Sequence, residues 1–189
     1  EEPVLIIKTA WGGKSIGRDF RPPSSGLPPK EELDEAVNNM VNRDYNNLVR
    51  NGMNKAKKEI PKVTREDIET QLKVTKEMIL KEKGAEFRKQ VIDSQGHFYR
   101  LMMEEIAVNL KELKQRFPDY DGRGYELAGF VWFQGWNDMY GPFPPQYAKN
   151  MENLIRDVRK DLKAPNLPVV IGLMGQNLSL IHISEPTRP

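Results

Sequence analysis

The stretch Gly129-Phe130-Val131-Trp132-Phe133-Gln134-Gly135-Trp136-Asn137-Asp138-Met139-Tyr140-Gly141 constrains this chain most. It opens as an apolar run and ends abruptly in Gln, Gly, Asn and Asp. A buried strand that delivers polar groups to a pocket has this form. Open α/β sheets bind ligands there, outside the carboxyl ends of their strands. Gln134, Asn137 and Asp138 therefore read as side chains held on a rigid platform. The strand itself is expected over residues 126–133.

Two further runs fit the same kind of sheet. Pro3-Val4-Leu5-Ile6-Ile7-Lys8-Thr9 and Leu167-Pro168-Val169-Val170-Ile171-Gly172-Leu173 are continuous and rich in β-branched residues. Runs of this kind predict strands buried on both faces, as in a parallel sheet. A helix is predicted between the last two strands, over residues 146–162. Its buried face is expected to be Tyr147, Met151, Leu154, Ile155, Val158 and Leu162, which recur at three and four. Another helix is predicted over residues 96–117, with Phe98, Leu101, Met102, Ile106, Leu110 and Leu113 as its stripe. Strand, helices, strand, helix, strand is the alternation of an α/β domain with a parallel sheet covered on both faces.

Residues 31–95 interrupt that alternation with helical periodicity and heavy charge. Leu33, Val37, Met40, Val41 and Leu48 fall on one face of a first helix, expected to break at Asn51-Gly52. Thr64 N-caps a second helix, with Glu66 and Asp67 in the first turn, where the helix dipole favours them. Ile68, Leu72, Thr75, Ile79 and Leu80 make its stripe, and Gly84 is expected to end it. The segment reads as an inserted helical hairpin, solvated on its outer faces, rather than as a lid.

Composition excludes several classes. The 189 residues carry a formal net charge of +2, which gives no electrostatic case for a nucleic-acid partner. There is no cysteine, so neither disulfides nor thiolate metal sites form. No run of about 18 apolar residues exists to span a membrane. Pro118-Asp119-Tyr120-Asp121-Gly122-Arg123-Gly124 fails as a calcium loop, with Arg123 at the fifth position and Phe130 at the twelfth. No metal and no cofactor is expected. Residues 178–189 read as translated sequencing adapter and are set aside, leaving residues 1–177 as a partial domain. The start at Glu1-Glu2-Pro3 without Met reads as internal to a longer protein.

The chemistry lies in two motifs. After the first predicted strand, Ala10-Trp11-Gly12-Gly13-Lys14-Ser15 turns the chain. Adjacent glycines there serve either a tight strand-to-helix turn or a close approach of backbone to a ligand. Asn137 can donate an N–H to a developing oxyanion, and Gly12 can do so with its backbone N–H. Two preorganised donors aimed at one oxygen make an oxyanion hole. The alternative is that Gln134 and Asn137 merely satisfy loop backbone. All three tryptophans, Trp11, Trp132 and Trp136, border these motifs, and clustered aromatics beside polar donors suit a sugar ring. Trp132 points opposite to its strand neighbours and is expected in the core.

Thr9-Ala10-Trp11-Gly12-Gly13-Lys14-Ser15 together with residues 129–138 resembles the SGNH-type carbohydrate esterases, and within them the sialic acid-specific acetylesterase family. Gly135-x-Asn137-Asp138 matches the family's third block and Gly12-Gly13 its second. The resemblance implies a flavodoxin-like three-layer fold and a Ser-His-Asp triad that removes O-acetyl groups from carbohydrate, in a secreted or periplasmic protein. It implies an oxyanion hole of Gly12 and Asn137, completed by the nucleophile's own N–H. Gln134, Gly13, Trp11, Trp136 and Asp138 are then the substrate-binding residues. Phe133 and Trp136 stand where the family often has His and Glu, so other acetylated sugars or polysaccharides are as well suited as sialic acid. The triad is expected outside this chain: Ser15 follows the glycines rather than lying in a Gly-x-Ser elbow, and His97 reads as a helix-start residue. A non-catalytic carbohydrate-binding module and a helical protein-interaction domain are the other two readings.

Overall fold

A computed structural model of the chain describes residues 3–173. It is mixed α/β and mostly helical, with one small parallel sheet. The chain divides into two compact units, one of Leu27–Asp93 and one of the segments up to Gly26 and from Ser94 onward. The set-aside residues 178–189 lie outside the described residues.

The Leu27–Asp93 unit is built from α1 (Lys30–Ala56), α2 (Arg65–Leu72) and α3 (Lys76–Ser94). Leu33, Val37 and Val41 of α1 pack with Ile79, Phe87 and Val91 of α3. Val49, rather than Leu48, turns inward to meet Val63 and Ile68. Thr64 caps α2 as predicted: its hydroxyl accepts from the Asp67 N–H at 3.2 Å, and the Asp67 carboxylate accepts from the Thr64 N–H at 2.9 Å.

Three expected boundaries fall elsewhere. Helix α1 continues through Asn51-Gly52 to Ala56. A Cβ at Gly52 would stand 2.6 Å from Ile68 Cγ2, so the glycine lets α2 pack close instead of ending α1. The predicted second helix is two helices, parted where Lys73 turns left-handed at φ 49°. Thr75 sits at the start of α3 rather than on an apolar stripe, its Oγ1 accepting from the Met78 N–H at 3.3 Å. Gly84 lies inside α3.

The other unit holds α4 (His97–Lys111), α5 (Leu113–Arg116), β1 (Phe130–Trp132), α6 (Tyr147–Asp161) and β2 (Val169–Ile171). Strands β1 and β2 are parallel, with Phe130 opposite Val169 and Trp132 opposite Ile171. Helix α6 makes the crossover that a parallel pair requires. Its buried face is Tyr147, Met151, Leu154 and Val158, which meets Trp132, Tyr99, Met102, Ile16, Phe20 and Leu167. Tyr99, absent from the predicted stripe, donates its hydroxyl to Asp161 at 2.6 Å.

The sheet departs from expectation on its other face. Val131 is 72% exposed and Val170 60%, so these strands are covered on one face only. Residues 3–9 form no strand, and Val4 and Ile6 are exposed. Their β propensity reflects fit to a pleated surface, and among the described residues no strand pairs with them to provide one. The three-layer arrangement is therefore not formed by the described residues.

Candidate functional site

The chain leaves β1 at Trp132 and reaches the polar loop at once. Residues Trp136–Met139 make a single 3-10 turn. One turn of such a helix sends successive side chains in different directions, and the four residues separate accordingly. Asp138 is buried, Asn137 half-buried and Trp136 exposed.

Asp138 ties this loop to the segment after the glycine corner. One carboxylate oxygen accepts the Ile16 N–H at 2.9 Å, and the other accepts the Gly17 N–H at 2.9 Å. Gln134 Nε2 donates to the same carboxylate at 2.6 Å and to the Lys14 carbonyl at 2.7 Å. The Gln134 carbonyl in turn accepts the Tyr147 hydroxyl at 2.9 Å. Burial raises the Asp138 carboxyl above its ordinary value, opposed by the bonds from Gln134, Ile16 and Gly17. Burial also pushes the Tyr147 phenol up to about 12.

The neighbouring loop is braced by a second set of buried groups. Asp19 accepts the Ser15 N–H at 3.0 Å and the Ser15 hydroxyl at 3.1 Å. Arg21 donates to the Gly17 carbonyl at 2.9 Å and to the Gly26 carbonyl at 2.7 Å. The start of α4 docks onto the same segment: the Gly96 N–H bonds the Arg18 carbonyl at 2.8 Å and the Phe98 N–H bonds the Asp19 carbonyl at 2.9 Å. A Cβ at Gly96 would lie 2.4 Å from the Arg21 carbonyl oxygen, so only glycine permits this approach.

Against this frame the glycine corner faces the loop after β1. A Cβ on Gly13, whose φ is +71°, would stand 3.8 Å from Asn137 Nδ2. Around the corresponding position on Gly12 the space is open. Among the described residues, neither the Asn137 amide nor the Gly12 N–H makes a hydrogen bond. An amide nitrogen and a backbone corner are thus side by side with donors to offer, held by the Asp138 and Asp19 networks behind them.

The structure distributes the other expected site residues differently. Gln134 and Asp138 were expected to contact substrate; the Gln134 Nε2 and the Asp138 carboxylate are committed inward to backbone and to each other, while Gln134 Oε1 is buried without a hydrogen-bond partner among the described residues. Burial of Asp138 to 2% exposure removes it from a binding surface. Trp11 packs edge-on against Phe98, with ring centroids 5.2 Å apart, and near Phe20 at 6.0 Å, so it belongs to the rim of the core. Trp132 is in the core as expected. Trp136 is exposed and lies beside Tyr140, their centroids 6.3 Å apart. Ser15 is buried against Asp19, and His97 is the exposed first residue of α4.

Asp19 and Arg21 brace the loop although no motif in the sequence singled them out, and Tyr147, expected only on the buried face of α6, also holds the Gln134 carbonyl. The available signal was a charged pair, Asp19 and Arg21, inside a segment with four prolines at 22, 23, 28 and 29. Ionisable groups in such a loop are kept by the backbone groups they satisfy.

The model of one protein family, carbohydrate esterase, sialic acid-specific acetylesterase, matches residues 78–186. The matched range contains residues 129–141 and runs into the set-aside tail, while the Gly12-Gly13 corner lies before it. No curated protein and no solved structure matches the chain.

Proposed function

The chain belongs to the sialic acid-specific acetylesterase family of carbohydrate esterases, and we propose that its Gly12–Gly13 corner and Asn137 hold the oxyanion while an O-acetyl group is hydrolysed from a carbohydrate. The observation that carries this reading is the Asn137 amide. It lies 3.8 Å from the Cβ position of Gly13, and its donors are unused among the described residues. An amide kept only to satisfy backbone would be bonded to backbone, as Gln134 Nε2 is to the Lys14 carbonyl.

In this reading a serine attacks the acetyl carbonyl and a histidine takes its proton. The carbonyl oxygen gains the negative charge and receives the Asn137 and Gly12 N–H groups. The tetrahedral intermediate collapses, the histidine returns the proton to the sugar oxygen, and water then releases acetate from the acyl-serine. Each hole donor contributes about 2.7–4 kcal/mol of barrier lowering. Asp138 acts on this chemistry as a positioning residue, by fixing the Ile16–Gly17 backbone that follows the corner. In this reading the whole domain takes the flavodoxin-like SGNH arrangement, with about residues 31–95 as an insertion.

The attacking serine, its histidine and the orienting aspartate are assigned to no residue of this chain. The isolated 189-residue chain is accordingly inactive in this reading. The test is acetate release from O-acetylated sugars, comparing the isolated chain with a longer protein that carries it together with a Gly-x-Ser turn. Acetate from the longer protein alone supports the reading. Ordinary turnover by the isolated chain, or none by either, contradicts it.

A further inference from the structure

The 3-10 turn that places Asn137 also presents an aromatic pair that the oxyanion chemistry does not use. Trp136 is 43% exposed and Tyr140 58%. Their ring centroids are 6.3 Å apart and their planes are inclined by 66°. Two adjacent, partly exposed aromatic rings present apolar faces that a ligand can cover. Among the described residues, neither the Trp136 indole N–H nor the Tyr140 hydroxyl has a hydrogen-bond partner. Each ring therefore offers an apolar face and an unused polar tip, the combination that suits a wet, partly apolar ligand.

The pair is also rigidly mounted. Asp138, in the same turn, is anchored by Ile16, Gly17 and Gln134. Helix α6 begins a few residues on at Tyr147, whose hydroxyl bonds the Gln134 carbonyl. A surface held in place before binding loses little freedom on binding. Asn137 turns toward Gly13, whereas Trp136 and Tyr140 turn to solvent. The aromatic pair thus flanks the reacting position instead of filling it.

We infer that Trp136 and Tyr140 form a subsite for a second pyranose ring, next to the one that carries the acetyl group. The inference rests on the oxyanion reading for its geometry, and it names the substrate class: an acetylated oligo- or polysaccharide rather than a free acetylated monosaccharide. The neighbouring sugar lays its C–H face on one ring, meets the edge of the other, and takes hydrogen bonds from the indole N–H and to or from the phenol.

Calorimetric titration of the 189-residue chain tests this, with partially O-acetylated cellohexaose and O-acetylated glucose as probes. The hexaose is expected to bind about tenfold more tightly, the scale of one aromatic contact. Trp136→Ala and Tyr140→Ala each abolish most of that preference, and Trp136→Phe retains most of it. Because Trp136→Phe keeps an aromatic ring beside Tyr140, its melting transition is expected to stay near the parent's, and the melts of the two alanine variants are recorded beside their affinities so that lost binding is told apart from lost folding. Equal affinity for the two probes, a preference that survives both alanine variants, or no binding of the hexaose overturns the inference. Acetate release by the active enzyme is scored separately, so a failure of the hydrolase reading with the chain-length preference intact still supports the aromatic subsite.

Discussion

The Asp138 carboxylate holds the backbone N–H groups of Ile16 and Gly17, each at 2.9 Å, across 122 and 121 positions of sequence. This one side chain brings the glycine corner and the loop after β1 into a common frame. Asp138→Asn leaves one acceptor oxygen where two backbone N–H groups and the Gln134 amide converge, and it sets an NH2 against a backbone donor. The variant is expected to lose about 2–3 kcal/mol of stability, the scale of a buried donor left unsatisfied beside a charged acceptor. Urea unfolding of parent and variant measures it.

The same carboxyl gives stability a distinctive pH dependence. Burial raises its folded pKa above the unfolded value. Between those two values the folded chain binds more protons than the unfolded one, so stability from this group falls as pH rises through the window and levels off above it. The advantage of the parent over Asp138→Asn is therefore expected to be larger near pH 4 than near pH 7. Denaturant midpoints taken across that range check the sign.

Two helical glycines are predicted to respond in opposite directions to the same substitution. At Gly52 a Cβ meets Ile68 Cγ2 at 2.6 Å, and Ile68 is itself buried. Gly52→Ala is expected to destabilise the Leu27–Asp93 unit by about 1–3 kcal/mol, through overpacking. At Gly84 the near atom is Leu80 Cδ1 at 3.1 Å, the end of a side chain that is 43% exposed and can swing aside. Gly84→Ala is expected to stabilise by up to about 1 kcal/mol, from helix propensity. Thermal melts of the two variants decide both.

These glycines also show where the sequence was legible. Asn51-Gly52 and Gly84 look like helix ends because glycine is a helix breaker in isolation, but α1 and α3 run through both, and at Gly52 the close approach of Ile68 uses the missing Cβ. Helix α6 was readable from its stripe because Tyr147, Met151, Leu154 and Val158 recur on one face with charge opposite. The outer face of the sheet was not readable. A run such as Val169-Val170-Ile171 fits two covered faces, while Val170 is in fact exposed. At the site, residue type alone nominates Asn137 and the glycine corner as donors. It does not show that Gln134 Nε2 and the Asp138 carboxylate bond the glycine-corner segment, because spacing does not tell a side chain that faces a pocket from one that bonds backbone behind it. Asp19 and Arg21 declare themselves only once the loop they satisfy is folded.

Gly13 combines a positive φ with the Asn137 amide beyond it. The space there admits a methyl group, but the left-handed backbone disfavours one. Gly13→Ala is expected to cost about 1–2 kcal/mol and to lower kcat of the active enzyme as the corner shifts. Unfolding and steady-state kinetics on the same variant separate the two effects. A loss of stability with unchanged kcat would place the corner outside the reaction.

The most direct measurement is the split between kcat and KM for Asn137→Ala in the acetate-releasing enzyme. An oxyanion donor acts in the transition state and hardly at all on bound substrate, so kcat is expected to fall about 10²–10³-fold, with KM close to the parent's. A raised KM with kcat unchanged would make Asn137 an ordinary binding residue and would contradict the oxyanion account.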